Sequence, residues 1–208
     1  MNVGDVKLRV SRAVGDDDKL IVTDADMLRW INDGQLDVVR RTECLQGTYS
    51  TATTLGTGSY NLPSDYFLAK RVTLNNQVQR PTNINQVDDI TSDSNLSGQT
   101  FNATSGYYYV FANQIYVDPN STGGTLFIQY VKLPATLTAD GDALTIPLHM
   151  HEDVVRYTLA MARERLDQGD EAMRSLGRYE ARLAESRHDA AVTFADTYPA
   201  VRLLPGDY

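Results

Sequence analysis

The fold is decided first by Thr23-Asp24-Ala25-Asp26-Met27-Leu28-Arg29-Trp30-Ile31, a stretch that contains a complete helix start. Thr23 suits the N-cap position, and Asp26 follows three residues later, in a capping-box-like arrangement. The two aspartates also favour the positive end of the helix dipole. Apolar residues then recur mostly at spacings of three and four as far as Val39. The stretch therefore predicts an amphipathic helix with one buried face.

A second helical segment precedes this one. Val3–Val14 places its apolar residues on one side, so we expect a helix with Lys7, Arg9 and Arg12 pointing outward. Glycine and consecutive aspartates then break the pattern at 15–18, and this acidic run is interpreted as a solvated turn because it lacks the ligand spacing of a calcium loop.

Helical periodicity returns near the other end of the chain. Pro147 is expected to open a third helix, which Gly169 ends. A fourth helix follows, with Asp170 as a possible cap. Its seam recurs at intervals of four, three and four, at Ala172, Leu176, Tyr179 and Leu183.

Between the helical ends, Thr, Asn, Ser, Gly and Tyr dominate, and from Gly47 the pattern favours strands. Gly56-Thr57-Gly58 resembles a hairpin break, and 107–131 is interpreted as three consecutive antiparallel strands. A short helix is expected at 84–91 and a polar loop at 92–105. The predicted strands are Thr48–Leu55, Ser59–Pro63, Phe67–Leu74, Tyr107–Phe111, Gln114–Pro119 and Thr125–Val131.

These elements predict an α+β fold, in which N- and C-terminal helices form a bundle around an inserted antiparallel β domain. We expect residues 1–46 and 147–191 to form the helical body and 47–146 the β-rich insert. Residues 192–208 are predicted to form an extended C-terminal tail. This tail contains more apolar and aromatic side chains than a linker that binds nothing. Such a tail is expected to dock on its own domain or on a partner.

Composition limits the classes of function. The net charge of −8 argues against broad binding to nucleic-acid phosphates. The single cysteine, Cys44, suits a reducing cytoplasm and is expected to be buried. Met1–Arg12 has no continuous apolar stretch, so no signal peptide is expected. No part of the sequence approaches the ~20 consecutive apolar residues of a membrane span, so none is expected either.

No residue cluster predicts catalysis, a metal site or a cofactor. His149 and His151 could share a metal only in an extended segment, with His188 as a third ligand, and they stand at a helix start instead. Asp65 lies in a turn, with no sign of a cleft around it. The tyrosines of the strands lack the interleaved Lys or Arg of a base-stacking platform. The sequence therefore predicts a protein that is not an enzyme.

Five segments stand out for their order and spacing along the chain. They are Thr23–Gln35, Tyr60–Tyr66, Ile115–Pro119, Leu126–Tyr130 and Ile146–His149. The helix with Trp30-Ile31-Asn32-Asp33-Gly34-Gln35 and the Leu62-Pro63-Ser64-Asp65-Tyr66 turn are the most telling. In this order and spacing they resemble the head-to-tail adaptor proteins of tailed bacteriophages, a family that includes the tail tubular adaptors of short-tailed phages.

This resemblance implies a structural virion protein at the head–tail junction, made in the bacterial host cytoplasm. Members form a ring, usually of twelve copies, which joins the portal protein above to a tail or nozzle protein below and surrounds the DNA passage. The C-terminal segment is implied to reach the portal, which points to Phe194, Tyr198, Leu203, Leu204 and Tyr208 as docking residues. A stopper or tail-completion protein, or a carbohydrate-binding β protein, stays as an alternative.

Overall fold

A computed structural model describes residues 1–82, 106–118 and 123–194, with side chains as far as residue 188. The helix and loop expected at 84–91 and 92–105 lie outside these residues. The chain divides into a helical unit, formed by Met1–Cys44 and the chain from Thr136 onward, and a β unit, Leu45–Ala135.

In its described residues the helical unit has four α-helices, which confirms the helices expected at the two ends of the chain. Asn2 and Asp5 cap the first helix reciprocally, since each side chain accepts the other's backbone N–H. The Thr23 hydroxyl accepts the Asp26 N–H at 3.2 Å at the start of the second, as the sequence predicted. The helices are α1, Val3–Val14; α2, Asp24–Thr42; α3, His151–Arg165; and α4, Gly169–Phe194, with a 3₁₀ turn at Leu148–Met150 before α3.

The reversal between the last two helices differs from the prediction. Gly169 begins α4 instead of ending α3, and Asp170 lies in the first turn of α4. The α3 helix already ends at Arg165, and Asp167 turns the chain with a positive φ of 57°. At its other end α4 continues to Phe194, three residues past the predicted end.

Helix α3 lies at the centre of the helical unit and contacts the other three helices. The buried face of α1 is shifted from the predicted one, because Ala13 is exposed and Lys7 is buried. In the seam of α4, Leu176 is only half-buried, and Tyr179 and Leu183 are buried as predicted. The core includes Val3, Val6, Val10, Met27, Ile31, Val38, Val154, Ala162, Tyr179 and Leu183.

The β unit is a seven-stranded sheet in the order β1-β7-β3-β4-β5-β6-β2. Every pairing is antiparallel except that of β4 with β5. The six predicted strands are present and the α+β class is confirmed, but β4 was not predicted. The strands are β1, Gln46–Thr53; β2, Ser59–Asn61; β3, Tyr66–Leu74; β4, Gln77–Pro81; β5, Tyr107–Phe111; β6, Gln114–Tyr116; and β7, Gly124–Lys132.

Two predicted pairings in the sheet are wrong. The last three strands do not form a meander, since β7 lies between β1 and β3 and only β5 and β6 pair as a hairpin. The Gly56–Gly58 turn does not close a hairpin, because β1 and β2 lie at opposite ends of the strand order. Long-range pairing places β7 along all eight residues of β1.

Candidate assembly surfaces

Two amide side chains of α2 bind the chain segment that leads into α3. The Asn32 Oδ1 accepts the Leu137 N–H at 2.8 Å, and its Nδ2 donates to the Leu137 carbonyl at 3.1 Å. One turn later, the fully buried Gln35 accepts the Thr145 N–H at 2.8 Å. The Asn32 amide therefore offers both a donor and an acceptor to one backbone residue, whereas the Gln35 amide acts as an acceptor. These two residues therefore explain the polar positions of the helix motif noted in the sequence.

The glycine of the same motif allows close packing of two helices. A Cβ at Gly34 would stand 3.0 Å from the Cδ1 atom of the Tyr157 ring on α3. That ring in turn packs edge-on against Tyr179, with the ring centroids 5.5 Å apart. Because α2 has no side chain at this point, α2, α3 and α4 meet through a shared aromatic contact.

Polar contacts between α2 and α4 fix the direction of the last helix. The Tyr179 hydroxyl donates to Asp37, and the two terminal nitrogens of Arg41 bind the carboxylate of Glu180. Burial raises the pKa of the Tyr179 phenol, and the hydrogen bond with Asp37 raises it further. The pKa of Glu180 is lowered by its hydrogen bonds from Arg41. Helix α4 is thus held where it carries the chain toward its C-terminal tail.

A buried carboxylate joins α3 to α4. Asp153 is fully buried, accepts the Ser186 hydroxyl at 2.7 Å and lies 2.8 Å from the Arg182 Nε. Desolvation raises the pKa of Asp153, against the opposing effects of these two partners. The sequence indicated only a favourable acid in the first turn of α3. The spacing of Arg182 and Ser186, four residues apart on one helix face, was the available signal for a shared partner.

In the β unit, the Leu-Pro-Ser-Asp-Tyr turn is tied to β7. The Tyr130 hydroxyl donates to the Asp65 carboxylate at 2.9 Å, and the Asp65 carbonyl accepts the Leu133 N–H at 2.7 Å. Burial and the neighbouring carboxylate raise the pKa of Tyr130 to about 12. The Tyr66 ring packs against the Tyr130 ring, with centroids 5.8 Å apart. Asp65 therefore holds a turn together, which explains the second motif structurally.

The two histidines at the start of α3 lie in different surroundings. The His151 ring is buried, and its Nε2 is 2.9 Å from the Ile146 carbonyl oxygen, while His149 is exposed. Burial lowers the pKa of His151. Across residues 1–82, 106–118 and 123–188, no three His, Cys, Asp or Glu side chains come together as metal ligands would. Cys44 is buried, as expected, and burial raises its pKa.

The structure brings none of the predicted portal-docking side chains onto a described surface. Phe194 is the last residue of α4, and its side chain falls outside the described part. Tyr198, Leu203, Leu204 and Tyr208 also lie outside it. The structure does describe α4, the helix that precedes these residues in the chain.

The comparison with protein families decides the identity. A family model described as the SU10 adaptor protein matches residues 1–202. The chain belongs to the SU10 adaptor protein family. This confirms the resemblance to phage adaptors, and the match includes the helical unit, the β unit and most of the tail segment of the adaptor. No curated protein matches the chain in sequence.

Membership gives the adaptor a structural, non-enzymatic role as a phage protein that binds other virion proteins. None of the helices in the described part is long and apolar enough to span a bilayer.

Proposed function

We propose that the adaptor forms a ring, of twelve copies, between the portal protein and the tail or nozzle protein of the virion. The family match over residues 1–202 carries this proposal. In it, the helical unit supplies the body of the ring, the β unit is a separate module, and the C-terminal segment attaches to the portal.

The charge of the chain supports a channel that DNA passes through without binding. The net charge is −8, and DNA-binding surfaces gain their affinity by neutralising phosphates with Lys and Arg. An acidic ring wall repels phosphate and leaves the genome free to slide. The adaptor thus needs no recognition of DNA sequence.

The tail is proposed to dock on the portal through Phe194, Tyr198, Leu203, Leu204 and Tyr208. Its apolar residues provide contact area for binding although the segment is too short to fold by itself. A ring of adaptors presents many such segments, so the attachment to the portal is multivalent. The contacts of Tyr179 and Glu180 with α2 support this proposal, since they fix the helix that leads to the tail.

Truncation after Phe194 tests the attachment because it removes residues 195–208, which include all of the proposed docking residues except Phe194, and keeps the whole of α4. The truncated adaptor should keep the helical circular-dichroism signal and melting temperature of the full chain, and should lose co-sedimentation with purified portal rings. A matched variant with Leu203→Ala and Leu204→Ala should weaken attachment in the full-length chain. Normal portal binding by the truncated protein would show that the tail is not the docking segment.

The mass of the complex distinguishes this proposal from a stopper or tail-completion protein. Native mass spectrometry of the adaptor with its portal should show twelve adaptor copies per portal ring. A stable free hexamer that ignores the portal would favour a stopper or tail-completion protein instead. Glycan binding by a monomer would favour the carbohydrate-binding alternative.

A further inference from the structure

The loop between α1 and α2 presents two apolar side chains on a rigid backbone. Leu20 is 81% exposed and Ile21 is 52% exposed, although Val22 beside them is buried. The Asp16 carboxylate accepts the backbone N–H groups of all three, at 3.0, 3.2 and 2.9 Å. The Val22 N–H, together with those of Ile21 and Leu20, holds the pKa of Asp16 below its ordinary value. This loop is preorganised, so little conformational entropy is lost when it binds a partner.

The charges of this loop are acidic. Asp17 and Asp18 are exposed beside the two apolar side chains, and the Lys19 ammonium lies 2.6 Å from the Asp24 carboxylate, which neutralises it within the chain. The loop therefore offers an apolar tip with a net negative flank. A matching surface needs an apolar floor and a basic rim.

A groove between α3 and α4 has this composition. It has a volume of about 200 Å³, and Val155 and Leu159 supply its apolar lining. Arg156, Arg163 and Arg178 line it as well, against a single acid, Glu152. The groove thus carries an excess of positive charge in a chain whose net charge is −8.

The arginines of the groove are incompletely paired within their own unit. The Arg156 Nε lies 4.0 Å from Glu152, and the Arg163 Nε lies 3.6 Å from Glu171. Both Nε–H groups are buried and lack a hydrogen-bond partner among the residues that the structure describes. A buried Nε–H is out of reach of an incoming carboxylate, so pairing would use the exposed parts of these two guanidinium groups and Arg178, which is exposed.

We propose that the Asp16–Val22 loop of one copy docks in the α3–α4 groove of a second copy, and that this contact joins neighbouring subunits. Leu20 and Ile21 pack on the groove floor, and Asp17 and Asp18 pair with the arginines at its rim. This proposal rests on the proposed ring. Because loop and groove are different surfaces, the contact is heterologous, and repeating it generates a ring where the rotation closes, instead of a two-fold dimer.

Charge reversal on each side of the contact tests it. Asp18→Arg and Arg178→Asp should each weaken self-association by about tenfold or more, since each places like charges together. An equimolar mixture of the two variants should regain assembly, because alternating copies restore opposite charges at every contact. Sedimentation velocity, run with and without portal protein, measures all three samples.

Arg187→Asp is the matched control. Arg187 is exposed on the same helix, nine residues and about 13 Å beyond Arg178, and carries the same change of charge. This control should assemble like the unmodified chain. All variants should keep the unmodified melting temperature because the three positions are at the surface.

Cysteine trapping gives an independent readout. A chain with both Asp18→Cys and Arg178→Cys should form a ladder of disulfide-linked multimers on oxidation, and each single variant should stay unlinked because its cysteine faces no second cysteine. An Arg178→Asp variant that assembles normally, or a mixture no better than its components, would overturn the loop-in-groove contact and leave the adaptor function standing. An unmodified chain that stays monomeric with and without portal would overturn both proposals.

Discussion

Truncating Asn32 to alanine should destabilise the helical unit by about 2 kcal/mol. The change removes both the acceptor and the donor that pair with the Leu137 backbone, and Leu137 is 5% exposed, so water replaces neither bond well. Each lost hydrogen bond to a buried group costs about 1–1.5 kcal/mol. Alanine is the better helix former and returns about 0.6 kcal/mol. The two effects leave a net loss of about 2 kcal/mol.

Urea unfolding measures this loss directly. The protein has one tryptophan, Trp30, which is buried in α2, so its fluorescence reports on the helical unit. Asp33→Ala is the matched control, because Asp33 is the next residue on the helix and is exposed. A free energy of unfolding for Asn32→Ala within 0.5 kcal/mol of this control would refute the role given to the amide.

Three further substitutions test packing within the helical unit or within the β unit. Gly34→Val should lower the free energy of unfolding by about 1–3 kcal/mol, since its Cβ would stand 3.0 Å from the Tyr157 ring; an unchanged urea midpoint would contradict that close approach. Leu183→Ala should cost about 2–5 kcal/mol because Leu183 is buried, and the half-buried Leu176→Ala should cost clearly less; equal losses would contradict the assigned core of α4. Tyr130 has a folded-state pKa of about 12, raised above its usual value of 10.0, so its contribution to stability is complete below pH 10 and is lost as the pH rises toward 12. Tyr130→Phe should therefore lose about 1 kcal/mol at pH 7 and show a shallower fall in melting temperature between pH 10 and 12; a fall as steep as that of the unmodified protein would refute the raised pKa.

The helices could be predicted because their signals are local. Thr23, Met27 and Ile31 all lie within about two turns of one helix. As predicted, Thr23 caps this helix and the other two residues are buried. Lys7 was predicted to point outward from its residue type alone. Its burial depends on Asp140, whose carboxylate lies 2.6 Å from the Lys7 ammonium and 133 residues away in sequence, and no local pattern reveals such a partner.

Strand positions were predictable, and strand partners were not. Alternation and turn residues mark the extent of β7, but its place between β1 and β3 depends on contacts over more than fifty residues. Strand β4 was missed because the Asn75-Asn76 turn, with φ of 52° and 64° at its two residues, was not recognised as a hairpin signal. The proposed docking residues of the tail followed from composition and resemblance, and they stay a prediction.

The discontinuous helical unit has a consequence for synthesis in the host. Helices α1 and α2 leave the ribosome first, yet their apolar faces are covered by α3 and α4. Between Thr42 and Leu183 the ribosome adds 141 residues, which takes roughly 7–28 s at about 5–20 residues per second. During this interval Met27, Ile31 and Val38 lack their final partners, whereas the whole β unit, Leu45–Ala135, is synthesised within it. Nascent adaptor chains should therefore engage chaperones through α2, and incomplete chains that stop before α3 should aggregate.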